Sequence, residues 1–73
     1  MTTNEKLRTL MEAHGLDTRP DPRTNQDVRF VSALLNVSQS AVIGWIAPPT
    51  WKKHRVMPAG YLELAEIKLG KSQ

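Results

Sequence analysis

Apolar side chains recur at helical intervals along four stretches of the chain, and the alternation that marks a half-buried strand is weak throughout. Thr2 and Glu5 stand at capping-box spacing ahead of Leu7, Leu10, Met11 and His14, which predicts a first helix over about residues 3–14. Gly15 supplies the left-handed residue that ends it, and Leu16 is expected to fold back onto the last turn. Pro20 and Pro22 then push Arg19 and Asp21 out of helical geometry. A second helix follows, capped by Thr24 or Asn25, with Val28, Val31, Leu34 and Leu35 on its inner face. Phe30 lies off that stripe, in position to pack on the first helix. Ser38 caps a third helix running to about Ile46, with Ala41, Val42, Trp45 and Ile46 inward, and Pro48 and Pro49 stop it. Residues 51–56 are expected to be extended or loop-like. Pro58 suits the first turn of a fourth helix with a stripe of Tyr61, Leu62, Ala65 and Leu69, ended by Gly70.

The pattern predicts an all-α fold: a compact four-helix domain with a central helix-turn-helix and little or no strand. Its parts are an N-terminal helix in 1–16, a proline-containing connector in 17–24, the helix-turn-helix in 25–47, a basic loop in 48–57 and a closing helix in 58–70. No internal repeat is visible. A chain of 73 residues has room for one domain, which buries only about 60% of its unfolded surface, so the core is small.

Composition narrows the chemistry. The chain has no cysteine, which excludes a disulfide framework, a thiolate zinc site and a cysteine nucleophile. The longest run without a charge, residues 30–51, is interrupted throughout by Ser, Asn, Gln and Pro and is not a membrane span. The N-terminus lacks a basic segment followed by an apolar one, so no signal peptide is expected. No His and carboxylate spacing suits a metal, and the four glycines stand apart, so no phosphate-cradling loop exists. Ser38 and His54 are a weak nucleophile pair, because capping accounts for Ser38. Glu63 and Glu66 share a helix face as ordinary solvated carboxylates do. Neither an enzyme, nor a cofactor, nor a small-molecule substrate is expected.

Charge is unevenly distributed. Residues 1–30 hold five basic and five acidic side chains, residues 31–50 hold none, and the last 23 hold five basic and two acidic. The net +3 therefore arises in the C-terminal third, densest at Lys52, Lys53, His54 and Arg55. Such a cluster attracts phosphate backbones or acidic protein surfaces, or serves simply as a solvated loop.

The segment from Leu35 to Ile46 has the character of a helix-turn-helix corner. Ser32 is small enough for the helices to approach, and Asn36 takes the turn position usually given to glycine. Val37, Val42 and Trp45 close the corner. Here the sequence resembles the Cro and CI class of phage repressors, including small antitoxin-like Cro relatives. The match extends through Val56, Met57, Pro58 and Tyr61 to the closing helix, over residues 25–70. The resemblance implies that the third helix enters the major groove of operator DNA and presents Ser38, Gln39, Ser40, Ile43 and Gly44. Ser38 to Ser40 would then touch phosphates, and Gln39 would pair with an adenine edge. Ile43 and Gly44 depart from the pattern, since the class commonly places polar or charged groups there. The helix has no cation, so phosphate contacts fall to Lys52, Lys53 and Arg55, with Arg23 and Arg29 offset by Asp21 and Asp27. Three such contacts give a salt slope of about −3, shallow for a repressor.

In length, helix-turn-helix and atypical recognition helix, the chain also resembles the small RNA polymerase-binding transcription regulators of Xanthomonas phages. That resemblance implies host RNA polymerase as partner, inhibition of initiation by interference with sigma-factor engagement, and suppression of termination near the RNA exit path. It places the protein in the cytoplasm of the host bacterial cell. An outward Ile43, Trp51 and the cations Lys52, Lys53 and Arg55 would form the polymerase-binding surface, an apolar anchor rimmed by charge. Trp51 has two alternatives, covering the core or protruding. The uncharged stretch of residues 30–51 favours the polymerase reading over the alternative, a Cro-like repressor bound to duplex operator DNA.

Overall fold

A computed structural model describes residues 2–21 and 23–70. The expected break at Pro22 and the charge of Lys71 lie outside the described residues. Four helices, α1 (Thr3–Ala13), α2 (Asp27–Leu35), α3 (Gln39–Ile46) and α4 (Ala59–Leu69), make up the regular structure, with no strand among the described residues. The fold is all-α, as the hydrophobic periodicity requires.

Each helix end follows from a local rule. At the start of α1 the Glu5 N–H donates to the Thr2 hydroxyl at 3.1 Å, and the Thr2 N–H donates to Glu5 Oε1 at 2.9 Å. These reciprocal bonds satisfy two donors that a helix start leaves orphaned. They also hold the Glu5 carboxyl below the ordinary range, the bond from the Thr2 N–H contributing most. Beyond α1, Gly15 takes φ +72°, and the Leu16 N–H returns to the Met11 carbonyl at 2.8 Å. Asn36 adopts the left-handed conformation (φ 55°, ψ 47°) and turns the chain into α3, which Ser38 caps by accepting from the Ala41 N–H at 3.1 Å.

The core is one cluster drawn from all four helices: Leu7, Leu10 and Met11; Val28, Val31 and Leu35; Val42, Ile43, Trp45 and Ile46; and Leu62 and Ala65. Met57, ahead of α4, is also fully buried. Both α1 and α2 pack against α3 and α4, whereas the backbones of α1 and α2 do not meet. Phe30 therefore has no first helix to pack on. It stands 50% exposed, contrary to the expectation. Leu34 and Leu69 are only half-buried, and of the two Leu69 packs against the core. Tyr61, placed on the inner stripe of α4, sits instead at its edge and stacks on Trp45, ring centroids 5.4 Å apart.

The connector docks. Asn25, almost completely buried, accepts from the N–H groups of Asp27 (3.0 Å) and Val28 (3.2 Å) and so caps α2. Its amide donates to the carbonyls of Asp17 (2.8 Å) and Arg19 (2.7 Å). One side chain thus ties the start of α2 to the proline-containing segment.

Candidate functional site

The basic loop lies across α3. Two successive turns, Trp51 N–H to Pro48 O and His54 N–H to Trp51 O, each 3.0 Å, reverse the chain after the third helix. The Arg55 N–H then donates to the Gly44 carbonyl at 2.9 Å. This crossing explains the glycine. A Cβ at position 44 would stand 2.8 Å from the Lys53 carbonyl oxygen and 3.2 Å from Arg55 Cγ, so only a residue without one lets the loop lie this close.

Further contacts hold the loop, among them a bond from the Thr3 hydroxyl to the Met57 carbonyl at 2.6 Å. His54 Nδ1–H donates to the Ala47 carbonyl at 3.0 Å. From α1, the buried Asn4 amide donates to the carbonyls of Trp45 (2.8 Å) and Arg55 (2.6 Å), while its Oδ1 accepts from the Met57 N–H at 2.9 Å. Asn4 thereby fastens the loop to α1 and α3 at both of its faces. Sequence reasoning passed it over. The available signal was a polar residue three positions before Leu7, in phase with the buried stripe Leu7, Leu10 and Met11.

The expected reading positions are dispersed by this arrangement. Ser38 is exposed but spends its hydroxyl on the cap. Ile43, expected to face outward as an apolar anchor, is only 5% exposed and belongs to the core. Gly44 is buried beneath the loop. The reason is geometric: α3 has a neighbour on the face that a free recognition helix would leave open, so the apolar residue there is covered from within the chain. Gln39 and Ser40 remain exposed.

Around them the structure assembles cations. Gln39, Ser40, Ile43, Lys53 and Arg55 line a groove of about 340 Å³, with Ile43 contributing to the lining despite its low exposure. Lys52, Lys53 and Arg55 are exposed, and Trp51 protrudes at 47% exposure, which resolves its two alternatives. A second groove of about 420 Å³ is lined by Arg23, Asn25, Gln26, Arg29 and again Gln39.

The offsetting of Arg23 and Arg29 by Asp21 and Asp27 does not occur through ion pairs among the described residues, where the one salt bridge joins Arg19 to Asp17. Asp21 accepts from the Arg23 backbone N–H at 2.9 Å, and Asp27 accepts from the Asp17 N–H at 2.7 Å. Both carboxylates are turned to backbone donors. The Asp17 carboxyl is held below its ordinary range, chiefly by the Arg19 side chain and then by its backbone N–H.

Among the described residues no group of His, Asp and Glu is placed to hold a metal ion, and no helix is long and apolar enough to cross a membrane. No protein-family model, characterised protein or solved structure matches the chain.

Proposed function

We propose that this chain is a small transcription regulator that binds host RNA polymerase through the loop following α3, inhibiting initiation by interfering with sigma-factor engagement and suppressing termination. The observation that carries the reading is the crossing of residues 53–55 over Gly44. It covers Gly44, and with Ile43 in the core, those left exposed of the five positions that would read bases are Ser38, Gln39 and Ser40, of which Ser38 caps the helix. A helix covered in this way has little to insert into a major groove, where direct readout requires several side chains at base edges. The same crossing projects Trp51, Lys52, Lys53 and Arg55 together. An exposed tryptophan among cations on a loop anchored by hydrogen bonds is the composition of a protein-binding hot spot, and its rigidity lowers the entropy lost on association. With Ile43 in the core, the apolar anchor on this reading is Trp51.

The alternative of a Cro-like repressor on duplex operator DNA draws support from the groove beside Gln39 and Ser40, which Lys53 and Arg55 flank. A tagged pull-down from Xanthomonas lysate, repeated after nuclease treatment, separates the two. Retention of polymerase subunits after nuclease supports the proposal. Loss of every partner with the nuclease, and DNA fragments beforehand, overturns it in favour of the repressor. Replacing Lys52 and Lys53 together by Glu is expected to abolish inhibition of transcription in vitro with the thermal midpoint unchanged. Undiminished inhibition would remove the loop from the polymerase contact.

A further inference from the structure

The two grooves adjoin at Gln39, which lines both, and together they make a track. Arg23 and Arg29 line one groove, Lys53 and Arg55 the other, and among the described residues no carboxylate lines either. By contrast, the two grooves along α1 carry Glu5 together with Arg8. Asp21 and Asp27 each accept from a backbone N–H through one oxygen, and neither forms an ion pair with Arg23 or Arg29 among the described residues. Cations lining adjoining grooves attract a polyanion.

We infer that this track holds the phosphate backbone of an unpaired nucleic acid strand, a function beyond polymerase binding and not dependent on it. Three features favour a single strand over a duplex and over an acidic protein. The covered second half of α3 leaves no free helix for a major groove. Exposed aromatic rings stand beside the cations in the chain, Phe30 directly after Arg29 and Trp51 just before Lys52, and bases stack on such rings only when unpaired. Gln39, at the join of the two grooves, offers an amide with both donors and acceptors to base edges, which a run of carboxylates would use only by half.

The test is fluorescence anisotropy with labelled oligo(U) and oligo(dT) of about 12 nucleotides, titrated with the full chain over a range of salt concentrations. Four phosphate contacts on a single strand predict a slope of log K against log salt of about −3, and two contacts about −1.5. Arg23→Gln with Arg29→Gln should therefore halve the slope. Phe30→Ala with Trp51→Ala should weaken binding about tenfold or more without changing the slope, because stacking releases no counterions. The ratio of the oligo(U) and oligo(dT) affinities assigns the strand as RNA or DNA.

Absence of binding at about 50 mM salt, or a slope unchanged in R23Q/R29Q, overturns the inference. So does equal or tighter binding of a duplex of the same length, or displacement of the strand by an oligoglutamate of equal charge. Capture of polymerase by R23Q/R29Q, measured in parallel, keeps the two proposals apart. Strand binding can fail while capture persists, and capture can fail while strand binding persists.

Discussion

Asn4→Ala removes a side chain that, together with Thr3, ties α1 to the basic loop, and its consequence follows from three hydrogen bonds. The amide donates to the carbonyls of Trp45 and Arg55, and its oxygen accepts from the Met57 N–H, with Met57 almost completely buried. A typical hydrogen bond contributes about 0.5–1.5 kcal/mol net, and a buried donor left unmatched adds about 1–3 kcal/mol of desolvation when water cannot replace the partner. The loss is therefore about 3 kcal/mol. For a chain of this length the whole stability is about 4–11 kcal/mol, so one side chain carries a large fraction of it. At about 4–8 °C per kcal/mol, the midpoint should fall by about 12–24 °C. Urea unfolding followed by far-UV circular dichroism measures it. Asn4→Asp should be at least as damaging, since a carboxylate still accepts from Met57 but faces two carbonyl oxygens without a donor. A loss below about 0.5 kcal/mol for Asn4→Ala would refute the reasoning, because water would then be supplying the missing bonds. A variant that stays folded should also show faster proteolytic cleavage within residues 48–56.

Gly44→Ala sets two effects against each other: alanine improves an isolated helix by about 1 kcal/mol, and overpacking against the Lys53 carbonyl costs about 1–3 kcal/mol. The clash is with backbone, so net destabilisation is expected in the same unfolding assay, and stabilisation would show that the loop yields freely. Asn36→Gly should be tolerated and Asn36→Val should lower stability by about 1–2 kcal/mol, because valine resists the left-handed φ of 55°. In acid, the depressed Glu5 and Asp17 carboxyls contribute stability that is fully present above their unfolded values, about 4.3 and 3.9, and is lost as pH falls through the lower folded values. Thr2→Ala, which removes the hydroxyl that accepts from the Glu5 N–H and leaves the Thr2 N–H bond to the Glu5 carboxylate in place, should cost about 1 kcal/mol, measured by denaturant unfolding near neutral pH.

Local chemistry wrote most of the fold into the sequence. Thr2 and Glu5, Gly15, Asn25, Asn36 and Ser38 each mark a helix end through an interaction spanning only a few residues, and the stripes of Val28, Val31 and Leu35 or of Val42, Trp45 and Ile46 follow from 3.6-residue periodicity. The composition of the basic loop was equally legible. What periodicity leaves open is which face of a short apolar helix has a neighbour. In α3, with apolar residues at 41–43 and 45–46, the inward and outward sides are distinguished by what packs there, and the crossing loop decided it. That crossing gave Gly44 its purpose, while Ile43 joins the core and Trp51 stays exposed. Asn4 illustrates the same limit, since its partners lie 41 to 53 residues away. The pairing of charges was also decided in three dimensions. Sequence proximity set Asp21 and Asp27 against Arg23 and Arg29, but each carboxylate accepts from a backbone N–H, and the arginines line a groove with Gln39.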